Sequence, residues 1–495
     1  MNTRAVKPLR AVGLVSGWAL VSLLGCGSDD ATTALCVPGQ QVACACAGET
    51  EGVQACNSAG SGYAACVCEE VDGSDASDST DASDGADDAT SSGDAIEGDT
   101  IEGDTTEGDT GGLPDHCPAP TGERPSRRSE QVGAFDPESG KLVMFGGSFG
   151  VPENCGNPIP TFENETWVYD AACDLWSLSA AEGPSPRTRA TAVWEPTMKR
   201  MVVFGGRYRA GSSGNYTLLN DLWAYDPAED AWTVLDDGES MSARFNHTMV
   251  AAPELGKILV FGGNTSNSGL VYTANNDVWA WDLTSGAWEK LAIGGVAPKK
   301  RFFASGLWDG KRKRLVIHGG ADESLFSNTA KYMDDLQAVD FSGATPVWQK
   351  LDTDSVGKPD GRFWGSMAYD AARDHYILFG GHDDGAQGNR NDLWMFEPEA
   401  GQWSTLSVGD SFNKPANGFC SFPPDFTTML ENTPERRNGG LVAGGPDGLY
   451  VAHGKTDCGI VDDLWRYDFA SSDWQSLTAA TVGEACVRKG GLNCN

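Results

Sequence analysis

The sequence predicts an all-β chain whose bulk is a closed ring of six four-stranded units. A small disulfide-rich module and a disordered acidic linker precede the ring. Two observations carry the prediction. One order of features recurs six times: an apolar run, a diglycine, a variable loop, an aromatic run opened by an acid, a short turn and a Trp. Its spacing stays near roughly 55–60 residues with a longer last unit, and a period of that size marks a repeated supersecondary unit.

The 495 residues divide by composition before any fold reasoning. Arg4, Lys7 and Arg10 precede an apolar run from Ala11 to Gly25, too short to span a bilayer comfortably as a helix but shaped as a secretory signal. The run ends in Leu23-Leu24-Gly25-Cys26, which resembles the lipobox of bacterial lipoproteins. The resemblance implies a signal peptide over 1–25 and a lipid on Cys26. The rest of the chain is then exported to the cell envelope and anchored to a bacterial membrane, the outer membrane being the expected one. In an oxidising compartment the other cysteines read as disulfides.

Residues 26–68 hold six cysteines after Cys26, at 36, 44, 46, 56, 66 and 68, among Gly, Ala and Gln with almost no large apolar residues. Only cross-links could hold such a module, and fifteen pairings stay open. Zinc ligation is the alternative, but the Cys-x-Cys spacing departs from the two-to-four-residue spacing of zinc sites. Residues 69–112 are almost entirely Asp, Ser, Ala, Thr, Gly and Glu without Lys or Arg, including Asp at every third position from Asp72 to Asp87 and a tandem Ile-Glu-Gly-Asp-Thr. That composition cannot bury enough apolar surface to offset its chain entropy, so it reads as an extended tether. The Asp-x-Asp-x-Asp-Gly order of a calcium loop is missing from it. The net charge of −34 speaks against a nucleic-acid partner, which needs clustered Lys and Arg.

The ring spans 113–482. Its clearest unit reads Lys199-Arg-Met-Val-Val-Phe-Gly205-Gly206, then Asp221-Leu-Trp-Ala-Tyr225-Asp226, then Trp232. Alternation of apolar and polar residues is the strand period, and the short Asp- and Gly-containing turns are hairpin connections. Diglycines recur at 146–147, 205–206, 262–263, 319–320 and 380–381, with His453-Gly454 in the sixth place, and Trp176, Trp232, Trp288, Trp348, Trp403 and Trp474 close the units. This pattern resembles the kelch family over most of residues 124–478. The resemblance implies a six-bladed kelch-type β-propeller. Unit four departs from it, with Gln337 and Val339 where other units carry aromatics, and unit six lacks its first glycine.

Strands alternate in direction, so the loop before each first strand and the loop after each diglycine open on one face, and these are the long loops. An arginine precedes each first strand, at Arg128, Arg187, Arg244, Arg301, Arg362 and Arg437. An acid precedes each third strand, at Glu165, Asp221, Asp277, Asp335, Asp392 and Asp463. Either the two ladders pair with each other and hold the ring together, or the arginines form an electropositive funnel for a carboxylate ligand. Phe245, Phe302, Phe363 and Trp364 beside the ladder are candidates for stacking on a sugar or peptide. His247 and His382 fall near the same face, where they read as solvent-facing or hydrogen-bonded loop histidines. The insertion from Ser411 to Thr433, with Phe419, is the most distinctive loop.

Cys117 and Cys155 are thirty-eight residues apart around unit one, as are Cys420 and Cys458 around unit six, so disulfides 117–155 and 420–458 are expected. Cys173, Cys486 and Cys494 remain, the last two in the tail at 483–495, and Cys486 could pair with Cys494 or with Cys173. Gly146-Gly-Ser148-Phe-Gly150 spells a nucleophile elbow, but that motif needs a strand-to-helix turn. No cofactor motif, metal-ligand spacing or compact acid–base constellation is evident. The expected function is a monomeric, membrane-anchored binding or scaffold protein that takes a protein or glycan partner on its loop-rich face. The alternative is an enzyme acting on sugars, resembling the exported kelch sialic-acid mutarotases or the copper-dependent galactose oxidases.

Overall fold

The computed structural model describes residues 41–45, 51–55, 117–119, 121–149, 161–211, 214–268, 271–325, 332–352, 357–383, 388–413, 427–456 and 459–481. The chain separates into two units, Met1–Thr105 and Thr106–Asn495. In the first, Gln41–Ala45 pairs antiparallel with Glu51–Ala55. Cys44 falls in the first of these strands, while Cys26, Cys36, Cys46, Cys56, Cys66, Cys68 and the tail at 483–495 lie outside the described residues.

The second unit is a six-bladed β-propeller of antiparallel blades, each with four principal strands. Blade two runs Thr191–Glu195, Arg200–Phe204, Leu222–Asp226 and Ala231–Asp236 from the channel outward, and the others repeat that order. Neighbouring inner strands touch all the way round, and the inner strand of blade six, Leu441–Gly444, meets that of blade one, Val132–Asp136. Apolar residues of the second strands, such as Val202, Phe204, Leu259 and Phe261, are fully buried, because each sheet has a neighbour on both faces.

Two local devices make the blade. In the outer hairpin an aspartate caps the turn: Asp226 Oδ1 accepts the amides of Ala228 and Glu229, and Asp282 and Asp468 do the same in their blades. Directly across that hairpin the Trp faces an aromatic of the third strand, as in Tyr225 against Trp232 at 5.1 Å and Phe396 against Trp403 at 5.2 Å. The diglycine is the second device. Its first position has φ between 61° and 73° in blades one to five, and His453 occupies it at 56°, a left-handed conformation that a non-glycine residue can adopt. The second position has φ from 90° to 115°, and a Cβ there at Gly454 would come within 2.8 Å of Gly440 Cα. Blade six could therefore lose its first glycine and keep its second.

The two charged ladders pair within each blade. All six arginines are at most 2% exposed and meet their own blade's acid at 2.5–2.9 Å. Each also donates Nη1 to the carbonyl of the first diglycine position, as Arg362 does to Gly380 at 3.0 Å, and Nε to a carbonyl two residues back. The acid accepts a further N–H from the side chain two residues on, an indole in five blades, as Trp223 Nε1 does to Asp221 at 2.7 Å. In blade four Gln337 Nε2 supplies it to Asp335 at 2.8 Å. The departure at Gln337 thus preserves the donor while losing the ring. Between blades, the second glycine's amide donates to the next arginine's carbonyl: Gly147 to Arg187, Gly206 to Arg244 and, across the seam, Gly454 to Arg128. Arg128, Arg187, Arg244, Arg301, Arg362 and Arg437 do not form an open funnel, since their guanidinium hydrogens are committed inside the blades.

The seam between blades six and one is closed by packing. Phe135 stacks on Tyr450 at 4.8 Å within a cluster that includes Leu142, Trp176, Leu441 and Leu464. Arg124 adds an ion pair to Asp462 at 3.2 Å. The disulfide expectation for Cys117 is corrected. Cys117 is bonded to Cys173, in the outer turn of blade one, and not to Cys155. The segment ahead of Arg124 therefore lies by the short-turn face, a position that symmetry of spacing with Cys420 and Cys458 did not reveal. Cys155, Cys420 and Cys458 are outside the described residues.

Removing one partner of a buried, hydrogen-bonded pair leaves a desolvated charge behind. Arg362→Ala, whose acid is 7% exposed, should lose about 3–5 kcal/mol in denaturant unfolding. Arg187→Ala, whose acid is 23% exposed, should lose less, and Arg362→Lys should not restore the loss because it cannot bridge both oxygens and the carbonyl.

Candidate functional site

Two residues beyond each ladder arginine the chain turns into the inner strand, and there the six blades carry Glu130, Arg189, Asn246, Phe303, Trp364 and Gly439. All six have φ between 54° and 62°. Non-glycine residues adopt this conformation only where their surroundings enforce it. Main-chain hydrogen bonds between neighbouring blades do so at five of the six junctions. The amide of Arg189 donates to Glu130 O at 3.0 Å, Asn246 to Arg189 O at 3.0 Å, Phe303 to Asn246 O at 2.8 Å, Trp364 to Phe303 O at 3.1 Å and Glu130 to Gly439 O at 2.7 Å. These bonds make a collar around the channel at the loop-rich face. Its backbone repeats, while its side chains are an acid, a cation, an amide, two aromatics and a glycine.

The collar side chains line a cavity of about 170 Å³. It shares Thr191, His247, Ala304 and Ser366 with a second cavity of about 350 Å³ deeper in the channel. Arg189 grips Glu130 with Nε at 2.7 Å and Nη2 at 2.5 Å, and its guanidinium lies over Trp364 at 4.9 Å and Phe303 at 5.4 Å. Phe303 and Trp364 are 4.3 Å apart. Arg207, from the hairpin Arg207–Tyr208/Thr217–Leu218 after the blade-two diglycine, reaches the same place and stands 3.7 Å from Glu130. Burial by itself would raise the Glu130 pKa, but Arg189 and Arg207 hold it below the usual carboxylate value. Both polar atoms of the Asn246 amide and both ring nitrogens of His247 are buried without hydrogen-bond partners among the described residues, so the cavity wall has unused polar capacity.

Of the aromatic candidates, Trp364 is half-buried at this mouth and the others are not accessible. Phe245, Phe302 and Phe363 are at most 2% exposed. Phe302 and Phe363 pack with Phe303, Ala274, Ala321 and Leu325 in a plug between blades, so they support the collar and do not present faces to a ligand. His247 is corrected: it is buried and edge-on to Phe204 at 5.2 Å. His382 is hydrogen-bonded as expected, to Asn389 at 3.2 Å, but it is buried in a strand and packed on Phe363 and does not face solvent. Phe419 lies outside the described residues. Sequence reasoning missed Glu130, Arg189, Asn246 and Arg207. The signal for the first three was available, as the position two beyond each ladder arginine carries a different residue in every unit.

Two family models match the chain: the KLHDC2/KLHL20/DRC7 Kelch-repeats domain over residues 246–423 and the Attractin/LZTR1 beta-propeller over 156–330. An N-(sulfonatooxy)prop-2-enimidothioate sulfolyase of Thlaspi arvense is 28% identical over 49% of this chain and 67% of its own length. Kelch domain-containing protein 10 of Xenopus tropicalis is 25% identical over 54% of this chain, which spans 62% of that relative's length. A solved structure of YjhT aligns with TM-score 0.50 and 18% identity over 72% of this chain and 98% of YjhT, a likeness of fold alone. The six-bladed ring with its diglycines and paired ladders defines a repeat propeller. The two family models and the kelch domain-containing relative support a kelch-repeat β-propeller.

The buried histidines predict acid sensitivity. Burial is the main cause that lowers the pKa of His247 and His318 to about 3 and of His382 and His453 to about 4. In the unfolded chain these groups protonate near about 6.5. As pH falls below that value the unfolded chain takes up protons that the folded chain refuses, so stability is lost from about pH 6.5 downward. His318 stands where blades one, two, three and five carry Phe145, Phe204, Phe261 and Phe379. His318→Phe should therefore shrink the loss of unfolding free energy between pH 7.5 and 5 by up to about 2 kcal/mol. An unchanged pH dependence would contradict the assignment.

Proposed function

We propose that this chain is a binding protein that takes a protein or glycan partner at the collar on the loop-rich face. We also propose that it is exported and held on a bacterial membrane by a lipid on Cys26. The observation that carries the binding reading is the collar itself. One backbone geometry is enforced six times, yet the side chains it aims into the channel mouth differ in every blade. A residue needed only for architecture would repeat, as the ladder arginines do. Kelch propellers are general interaction scaffolds, and a propeller does not by itself dictate chemistry.

An enzymatic role is the second reading, favoured by the relative named as a sulfolyase, which matches about half of this chain. In that reading the same mouth, with Glu130 and Arg189, would hold the substrate.

Probing the full chain against glycan and peptide arrays tests the first reading. Trp364→Ala removes a half-buried aromatic from the mouth without touching the ladder. It should weaken capture of a retained ligand at least about tenfold, as hot-spot aromatics do, with the unfolding midpoint little changed. Equal capture by wild type and Trp364→Ala would place recognition elsewhere on the molecule.

A further inference from the structure

The seam differs from the other five junctions of the ring in one respect. Elsewhere the chain itself crosses, because the outer strand of one blade continues into the inner strand of the next. Blade one is built from strands between Val132 and Leu178 and blade six from strands between Arg437 and Thr478, so no strand is exchanged between the two ends among the described residues. What crosses instead is the entry segment. Cys117 is bonded to Cys173 of blade one, and Arg124 holds blade six. The seven residues between them reach at most about 25 Å, so the segment is a short strap with one end fixed on each blade.

Both ends meet prepared groups. On blade one, Cys173 is 5% exposed and lies in the turn that Asp170 caps, its amide donating to Asp170 Oδ1 at 3.1 Å. The bond spans a sequence separation of 56 residues and encloses the first three strands of that blade. On blade six, Arg124 donates Nη1 to Ala479 O at 2.9 Å and Nη2 to Thr481 Oγ1, and pairs with Asp462 at 3.2 Å. Asp462, 7% exposed, also accepts the amide of Thr481 at 2.7 Å and its hydroxyl at 2.5 Å. The clasp thus gathers the entry, the third strand of blade six and the exit of the ring. Arg124 is 32% exposed, and an ion pair so open to water holds little by itself. It acts as a clasp because the disulfide keeps the strap within reach.

We propose that the segment from Cys117 to Arg124 is a latch across the seam and that the Cys117–Cys173 bond is its redox-sensitive lock. A dithiol opens the lock. Its thiolate attacks one sulfur, the S–S bond breaks, and the second thiol of the reductant resolves the mixed disulfide. Two electrons and two protons pass to Cys117 and Cys173, and the reductant leaves as its own disulfide. Unlocked, the seam keeps only non-covalent contacts, such as Phe135 on Tyr450, Gln131 Nε2 to Ala452 O at 3.2 Å and Gly454 N to Arg128 O at 3.0 Å. It becomes the junction that opens first, ahead of global unfolding. The collar crosses the seam by the bond from Glu130 N to Gly439 O, so the lock also controls the frame of the channel mouth, whatever partner that mouth takes.

Amide hydrogen exchange of the full chain tests the latch, with the oxidised wild type as reference. The seam peptides are 132–145 and 441–454, and 257–261 with 314–318, from blades three and four, are the comparison. Cys117→Ser/Cys173→Ser should speed exchange of the seam peptides at least about tenfold and of the comparison peptides less than about twofold. Arg124→Ala should speed the same seam peptides. Adding it to the Ser pair should change them by less than about twofold more, because both ends belong to one latch. Should the Ser pair not fold, dithiothreitol added to the folded wild type supplies the same ratio. The proposal is overturned if the two sets of peptides speed up together, if the seam stays protected without the disulfide, or if the effects of Arg124→Ala and the Ser pair multiply.

Discussion

The structure depends on one arrangement, the buried arginine that brackets each blade. A guanidinium has five donors in a rigid plane, and here they meet the acid that opens the third strand, the diglycine carbonyl and a carbonyl two residues back. The arginine's own carbonyl takes the amide of the preceding blade's second glycine. One residue therefore fixes where the third strand starts, where the second strand stops and how far the next blade is rotated. Such a charge can be buried only because the complement is full, and the exacting geometry of the diglycine follows from that.

The bracket also accounts for the collar. With the arginine's side chain anchored inward and its carbonyl committed outward, the next residues must turn sharply to reach the inner strand. The turn is left-handed in every blade. What stays free is the side chain at its apex, and the loops beyond. Architecture and recognition thus occupy adjacent positions: Arg187 serves the ring, and Arg189, two residues on, faces the channel mouth.

The fold was legible to a large extent, because diglycines, aspartate-capped turns and Trp232-type anchors are local and repeat. The two ladders were legible as positions. Their meaning was not, since a row of arginines reads the same in sequence whether it faces solvent or a partner acid. Exposure misled the reading in the same way for Phe245, Phe302, Phe363, His247 and His382, which sit beside a functional face yet are packed beneath it. Glu130, Arg189 and Arg207 come from two blades, and no sequence spacing links them. Only the closing of the ring brings them within reach, and only burial makes their unequal charge notable. The pairing of Cys117 with Cys173 was hidden for a related reason, because the path of the segment ahead of Arg124 is not part of the repeat.

The division between an enforced backbone and variable side chains is most directly tested by amide hydrogen exchange. The peptides of interest span 186–191, 243–248, 300–305 and 361–366, and the loop segment 266–273 is the internal comparison. If the collar amides are locked by the bonds between blades, those four peptides exchange only with global unfolding, orders of magnitude more slowly than 266–273. Exchange of the collar peptides on the timescale of the loop would contradict it, and the channel mouth would then be a flexible surface without a preformed frame.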